Sequence, residues 1–347
     1  MQKVTMEDIA RTAGVSIGTV SKVLNGDPSV KEKNRAAVEH AVKMLDYNVN
    51  QAARRLAHKP IRLGIMLPGV FDAYFDSMEQ GIRDQIASLA DYRVSAVYRR
   101  YNEANPDTQQ SVEQCLRFFT QEQVDGILLG PMQYGRENSA ELSLLQASGV
   151  PIVLLLSDIR DFHRLCCVSV DAALSGNTAA ELAELWLEPD RACAILIGDR
   201  KLEEHHLKAD SFCGRMEEAG YQKPHILETR DDPERAYRLT VELLRAEPDL
   251  ALLYVATGNS VAVCRAVCDC GREKSVRVIA TDLPEGLIPY VKDRIVIGVL
   301  DQHLQDIGAR AVYALYCHLA EGAVCPREEK VAPSLLLYSA IVNHSEN

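Results

Sequence analysis

The sequence predicts an α/β protein in two parts: a small all-α segment at the N-terminus, then a larger, doubly wound α/β body of two subdomains. Three observations carry this. Apolar residues over the first 60 positions recur at helical spacing between short turn-forming breaks. From Arg62 onward, continuous apolar runs alternate with amphipathic helical stretches, the pattern of parallel strands buried on both faces. Ten such runs are more than one open sheet usually carries, so two sheets with a cleft between them are expected.

Taken in order, Thr5 and Asp8 make a capping-box start ahead of Ile9, Ala10 and Ala13 on one face. Gly14 breaks this helix, and Ser16 caps a second whose Val20, Val23 and Leu24 share a side. The turn Asn25-Gly26-Asp27-Pro28 ends it, and a longer third helix carries Val38, Ala41, Val42 and Leu45. Residues 50–58 form an isolated stretch too short to hold a helix alone in water, and Pro60 closes it. Strands are expected at 63–67, 94–98, 126–129, 152–156, 166–170, 193–197, 250–255, 276–280, 295–299 and 335–342.

At 347 residues and 47% apolar content the chain has material for two or three cores, which excludes disorder. No run reaches membrane length and the first residues lack a secretory h-region, so a cytoplasmic protein is expected. The ten cysteines are then expected as reduced, mostly buried thiols. Charge is unevenly spread. Residues 1–60 hold ten cationic and six anionic side chains, a net of +4, whereas the whole chain is at -11, leaving -15 on the body. A basic head on an acidic body suggests that only the head approaches a polyanion.

Gly14-Val15-Ser16-Ile17-Gly18 matches the pattern of a hydrolase nucleophile elbow, which needs a buried strand before the serine. The preceding residues, Glu7 to Ala13, read as helix, so a serine hydrolase is disfavoured. A plain helical hairpin and a DNA-reading helix-turn-helix remain.

Residues 4–57, beginning VTMEDIARTAGVSIGTVSKVLNG, resemble the DNA-binding headpiece of the lactose-repressor/galactose-repressor family. The body resembles that family's ligand-binding core, which is similar to periplasmic sugar-binding proteins. The resemblance implies a helix-turn-helix headpiece at 1–48, a hinge helix and linker at 49–61, and a periplasmic-binding-protein-like core at 62–347. Its N-subdomain would span about 62–165 and 303–330, and its C-subdomain about 166–302 and 331–347. Thr5, Ser16, Thr19, Ser21 and Asn25 match positions that hold phosphates, and Ile17, Gly18 and Lys22 match those that read bases. Lys22 stands where arginine or histidine is more familiar, and Lys31 and Asn34 replace the serine and threonine usual at the third helix. Asn50, Ala53, Arg54, Arg55 and Leu56 match the hinge, where Leu56 would wedge into the minor groove. Val49 takes the place of the usual proline ahead of it.

In the core the resemblance implies a sugar-like effector at Asp72, Tyr74, Phe75, Asp171, Lys208, Asp282 and Gln302. Lys208 stands where an arginine is usual, so the guanidinium fork is lost. Helix 77–89 is expected in the interface of a homodimer, and the C-terminus lacks the leucine heptads that would build tetramers. Cys264, Cys268 and Cys270 do not share one helical face, so no metal is expected. His205 and His206 read as solvated. No phosphate-binding glycine loop appears, so no cofactor and no enzymatic activity are expected. The function implied is a repressor of carbohydrate uptake or catabolism genes that binds operator DNA as a dimer; the rival is a cytosolic sugar-binding protein without gene control.

Overall fold

The computed structural model describes residues 5–24, 27, 30–45, 59–69, 72–101, 111–130, 143, 146–159 and 162–344. The head and the body form separate compact units and are taken in turn.

In the head, α1 (Met6–Ala13), α2 (Ile17–Leu24) and α3 (Glu32–Met44) enclose Ile9, Ala10, Val20, Val23, Val38 and Ala41. The expected capping box is present: Thr5 accepts from the Asp8 N–H while its own N–H donates to Asp8 Oδ2 at 3.0 Å. Gly14 closes α1 at φ 66°, a left-handed conformation that glycine adopts without steric cost. Lys31 precedes α3 without any side-chain cap, so the departure noted there leaves that helix start uncapped.

The body holds two six-stranded sheets. The first contains β1 (Ile61–Pro68), β2 (Val94–Tyr101), β3 (Gly126–Leu129), β4 (Ile152–Leu155), β5 (Cys166–Val170) and β11 (Glu328–Val331) in the order β11-β5-β4-β3-β1-β2, all parallel. The second contains β6 (Ala192–Ile197), β7 (His225–Glu228), β8 (Leu250–Val255), β9 (Arg277–Thr281), β10 (Val296–Asp301) and β12 (Ser334–Leu336) in the order β12-β10-β9-β8-β6-β7. Only the β12 edge runs antiparallel. In each sheet the winding reverses beside the first strand, between β1 and β3 and between β6 and β8. Open α/β sheets take ligands at such a switch point, outside the carboxyl ends of the strands.

The helices are α4 (Asp72–Ser88), α5 (Val112–Gln121), α6 (Ala172–Glu184), α7 (Glu203–Glu218), α8 (Pro233–Ala246), α9 (Ser260–Asp269), α10 (Ile288–Lys292), α11 (Leu304–Glu321) and α12 (Tyr338–His344). Among the described residues no helix is long and apolar enough to cross a membrane.

Three expectations need correction. Cys166 to Val170 pairs with β4 and β11, so this strand belongs to the first sheet and the chain crosses after it, not before. Likewise Val331 ends a strand of the first sheet. Residues 335–342 are not one strand: β12 stops at Leu336 and α12 follows, burying Ile341 in the second core. An apolar run of that length suits either structure, and packing decided. Strands β7 and β11 escaped the hydropathy reading because they are edge strands, largely polar and partly exposed.

The chain crosses between the sheets at 171, at 302–303 and at 332–333. These crossings are tied together: the Asp171 N–H donates to the Val331 carbonyl at 2.8 Å, and the His303 ring meets Ser334 Oγ at 2.7 Å.

Helices α4 and α11 pack through glycine. A Cβ at Gly81 would lie 2.0 Å from the Gln305 carbonyl oxygen, and one at Gly308 would lie 2.6 Å from that of Met78. Alanine normally favours a helix over glycine by about 1 kcal/mol. Here the clash is with backbone, which cannot swing aside, so Gly81→Ala is expected to destabilise the body by about 1–3 kcal/mol in urea unfolding. A variant as stable as the parent would show that the helices separate freely.

Candidate functional site

The head presents α2 outward. Ile17 is 45% exposed, Gly18 and Lys22 are also exposed, and the opposite side, Val20 and Val23, is buried. Ser16 Oγ accepts the Thr19 N–H at 3.2 Å and lies 2.9 Å from Thr19 Oγ1. It caps α2, and the element before it is the helix α1, not the buried strand that a nucleophile elbow needs. Two hydroxyls sharing one bond keep one O–H free to donate, the property needed to hold a phosphate. The Thr5 hydroxyl donates to Asp8 Oδ2 at 2.7 Å, and Ser21 is half-buried. Asn25, Asn50, Ala53, Arg54, Arg55 and Leu56 lie outside the described residues.

In the body, four of the seven expected effector residues meet in one network. Lys208, in the middle of α7, is only 1% exposed. Its ammonium donates to Glu204 Oε1, one turn earlier, at 2.5 Å and to Gln302 Oε1 at 2.8 Å. Gln302 follows β10 and passes the network on: Nε2 donates to Asp282 Oδ2 at 2.7 Å and to Tyr74 Oη at 3.3 Å, and its backbone N–H donates to Asp282 Oδ1 at 3.0 Å. Tyr74 stands on α4 of the other subdomain, so the network spans the cleft.

The remaining three stand elsewhere. Asp171 accepts the Leu174 N–H and caps α6 at a crossing. Phe75 is buried behind Tyr74, edge to face with centroids 5.1 Å apart. Asp72 begins α4, and its side chain lies outside the described residues.

Sequence reasoning missed the groups on the strand ends of the second sheet. Glu204 completes the ion pair. His205, expected in solvent, is buried and accepts the Asp199 N–H at 3.1 Å; His206 is the exposed one and pairs with Asp210. Asp231 follows β7 in the left-handed region at φ 55° and crowds Gly198 beside His205: a Cβ there would sit 2.4 Å from its Oδ2 and 2.3 Å from His205 Cε1. Asp282 is also left-handed, at φ 54°. Non-glycine residues held this way cluster at ligand sites, where packing compensates the strain. The buried hydroxyls of Tyr254 and Thr281 have no hydrogen-bond partner among the described residues.

Burial dominates the electrostatics. It pushes Asp231 up to about 7, with no charge among the described residues offsetting it, and Asp282 up to about 6 against the hydrogen bonds from Gln302. Burial raises the Tyr74 hydroxyl well above its usual range, helped by the charges of Glu204, Asp282 and Asp231. Burial holds His205 near 4, hence neutral. Against its own burial, Glu204 is held low by Lys208. Between the sheets, next to Glu204, lies a cavity of about 20 Å³ lined by Ser157, Asp158, Ser169, Glu203 and Lys330. It has room for a single water.

A small helical unit with an exposed second helix, joined in one chain to a two-sheet body with a polar cleft, defines a DNA-binding regulator with a ligand-sensing body. Comparison with known proteins agrees. Residues 5–50 match the model of the bacterial regulatory proteins of the lacI family, and residues 63–323 match the periplasmic binding protein domain. The chain carries a DNA-binding head of the lacI family of bacterial regulatory proteins on a body of the periplasmic binding protein family, and is a DNA-binding transcriptional regulator.

Catabolite control protein A of Staphylococcus epidermidis is 28% identical, covering 88% of this chain and 89% of the relative. Among solved structures, an ABC-transporter solute-binding protein from Agrobacterium vitis, bound with alpha-D-tagatopyranose, superimposes with a TM-score of 0.72 at 19% identity, covering 82% of this chain and 97% of its own. A protein of Bacteroides fragilis assigned as a LacI transcriptional regulator gives 0.71 at 20% identity, covering 82% and 99%. At such identities these two show the fold.

The raised carboxyl of Asp231 fixes a sign. Its folded value exceeds its unfolded one, so it binds its proton more tightly in the folded state and disfavours folding as pH rises from about 4 to about 7. Asp231→Asn is therefore expected to unfold at a higher temperature than the parent at pH 8, with the advantage shrinking to nothing as pH falls toward 4. A constant difference across that range would mean that the carboxyl is not desolvated.

Proposed function

We propose that this regulator is a cytoplasmic, homodimeric repressor of carbohydrate uptake or catabolism genes, controlled by a sugar-like effector bound between its two sheets. The observation that carries the reading is the convergence of Tyr74, Lys208, Asp282 and Gln302, from four separate elements, onto one hydrogen-bonded network at the strand ends. Such a network offers several donors and acceptors beside a tyrosine ring, which suits a polyol. The catabolite-control name of the relative and the tagatopyranose held by the solved neighbour support the same direction.

On DNA, Ile17, Gly18 and Lys22 would face the major groove, and Thr5, Ser16, Thr19, Ser21 and Asn25 would hold phosphates. Asn50, Ala53, Arg54, Arg55 and Leu56 would order as a hinge only when both heads are bound, so the spacing of the two bodies decides whether the dimer grips its operator. We assign the chain no catalytic role.

The operator is first found by selection from a random duplex pool. Lys22→Ala is then expected to weaken binding by about 1–3 kcal/mol, roughly 5- to 150-fold, and to relax discrimination at a single base pair per half-site. Leu56→Ala should weaken operator binding at fixed salt while leaving ligand affinity of the body unchanged. A protein that prefers no duplex sequence, alone or with sugars present, would end this reading.

A further inference from the structure

The polar groups on the second sheet are out of balance. Lys208 is committed to Glu204 and Gln302, and Asp282 receives only the uncharged donors of Gln302. Among the described residues no group donates a hydrogen bond to the Asp231 carboxylate. Glu204, Asp231 and Asp282 all act on the Tyr74 hydroxyl, so three carboxylates and one ammonium share this wall of the cleft.

A second observation is independent of charge. Asn259, ahead of α9, is 2% exposed, and its amide oxygen has no donor. Its Nδ2 donates to Thr229 Oγ1 at 3.3 Å, and the Asp231 N–H donates to the same oxygen at 3.3 Å, so Asn259 and Asp231 flank one hydroxyl. Both sit beside the β6/β8 switch point, where the topology itself places a ligand. The site is thus rich in acceptors and short of donors and positive charge. Among the described residues no group of three His, Cys, Asp or Glu is disposed to hold a metal ion.

We propose that the cleft is built for a ligand that carries a protonated amine among its hydroxyls, an amino sugar or aminocyclitol, with the ammonium seated against Asp231. An ammonium brings three donors, no acceptor and one positive charge, which is what this wall lacks. The inference rests on the reading of the cleft as a polyol site and deepens it by naming the ligand's charge.

Full-length protein is titrated by calorimetry with two matched sets: D-glucosamine, D-glucose and N-acetyl-D-glucosamine, then D-galactosamine, D-galactose and N-acetyl-D-galactosamine. In at least one set the free amine is expected to bind at least tenfold tighter than both counterparts. Asp231→Asn, checked for a single cooperative unfolding transition, should erase that preference, and Asp231→Glu should retain part of it. If a neutral sugar or its N-acetyl form binds as tightly as the amine, or Asp231→Asn leaves the preference intact, the amine assignment falls and the polyol reading stands. Silence from all six compounds overturns both.

Discussion

A lysine ammonium buried in the middle of α7 constrains everything around the cleft. Bare burial of such a charge is prohibitive, and it persists only where an opposite charge and further acceptors enclose it. Glu204 supplies the charge because it lies one turn earlier on the same face, and Gln302 supplies the second acceptor from the end of β10. An amide bonded through its oxygen turns its nitrogen outward, and that nitrogen reaches Asp282 and Tyr74. The position of one ammonium thus orients side chains from α7, β10, the turn after β9 and α4.

Gln302 also stands directly before His303, whose left-handed backbone, at φ 57°, turns the chain from one sheet toward the other. His303 is bonded to Ser334 at the third crossing, and Asp171 at the first is bonded to Val331. A change at the Gln302 side chain is therefore one residue from a point where all three connections are linked. This is a contiguous physical route from the pocket to the relative disposition of the sheets, and it needs no distant relay.

The fold was readable because buried parallel strands leave continuous apolar runs; every interior strand of both sheets appears as one, and the polar edge strands β7 and β11 do not. The same blindness hid part of the site. Asp231 is placed by β7, so a reader who cannot see β7 cannot place Asp231. Glu204 went unremarked and His205 read as solvated because periodicity tells which residues share a face, not whether that face meets a second subdomain. Lys208, Asp282 and Gln302 were named through family resemblance; nothing in their local sequence separates a buried lysine from a solvated one. Asp171 stands at a crossing, but its carboxylate is occupied with capping α6.

The energetics set what kind of ligand can act as a switch. Gln302 reaches Tyr74 through a bond between neutral groups, worth about 0.5–1.5 kcal/mol net, so the internal link from the second sheet to α4 is weak. Moving a two-state equilibrium from 1:99 to 99:1 takes about 5.5 kcal/mol of differential binding. Neutral hydroxyls that merely replace the internal bonds exchange like for like and leave little difference between the two arrangements. Bonds to charged groups contribute about 1.5–3 kcal/mol each, so two or three of them, made in only one arrangement, reach the required difference. On the proposed reading, control by this cleft falls chiefly to Asp231, whose buried carboxylate no charge among the described residues offsets.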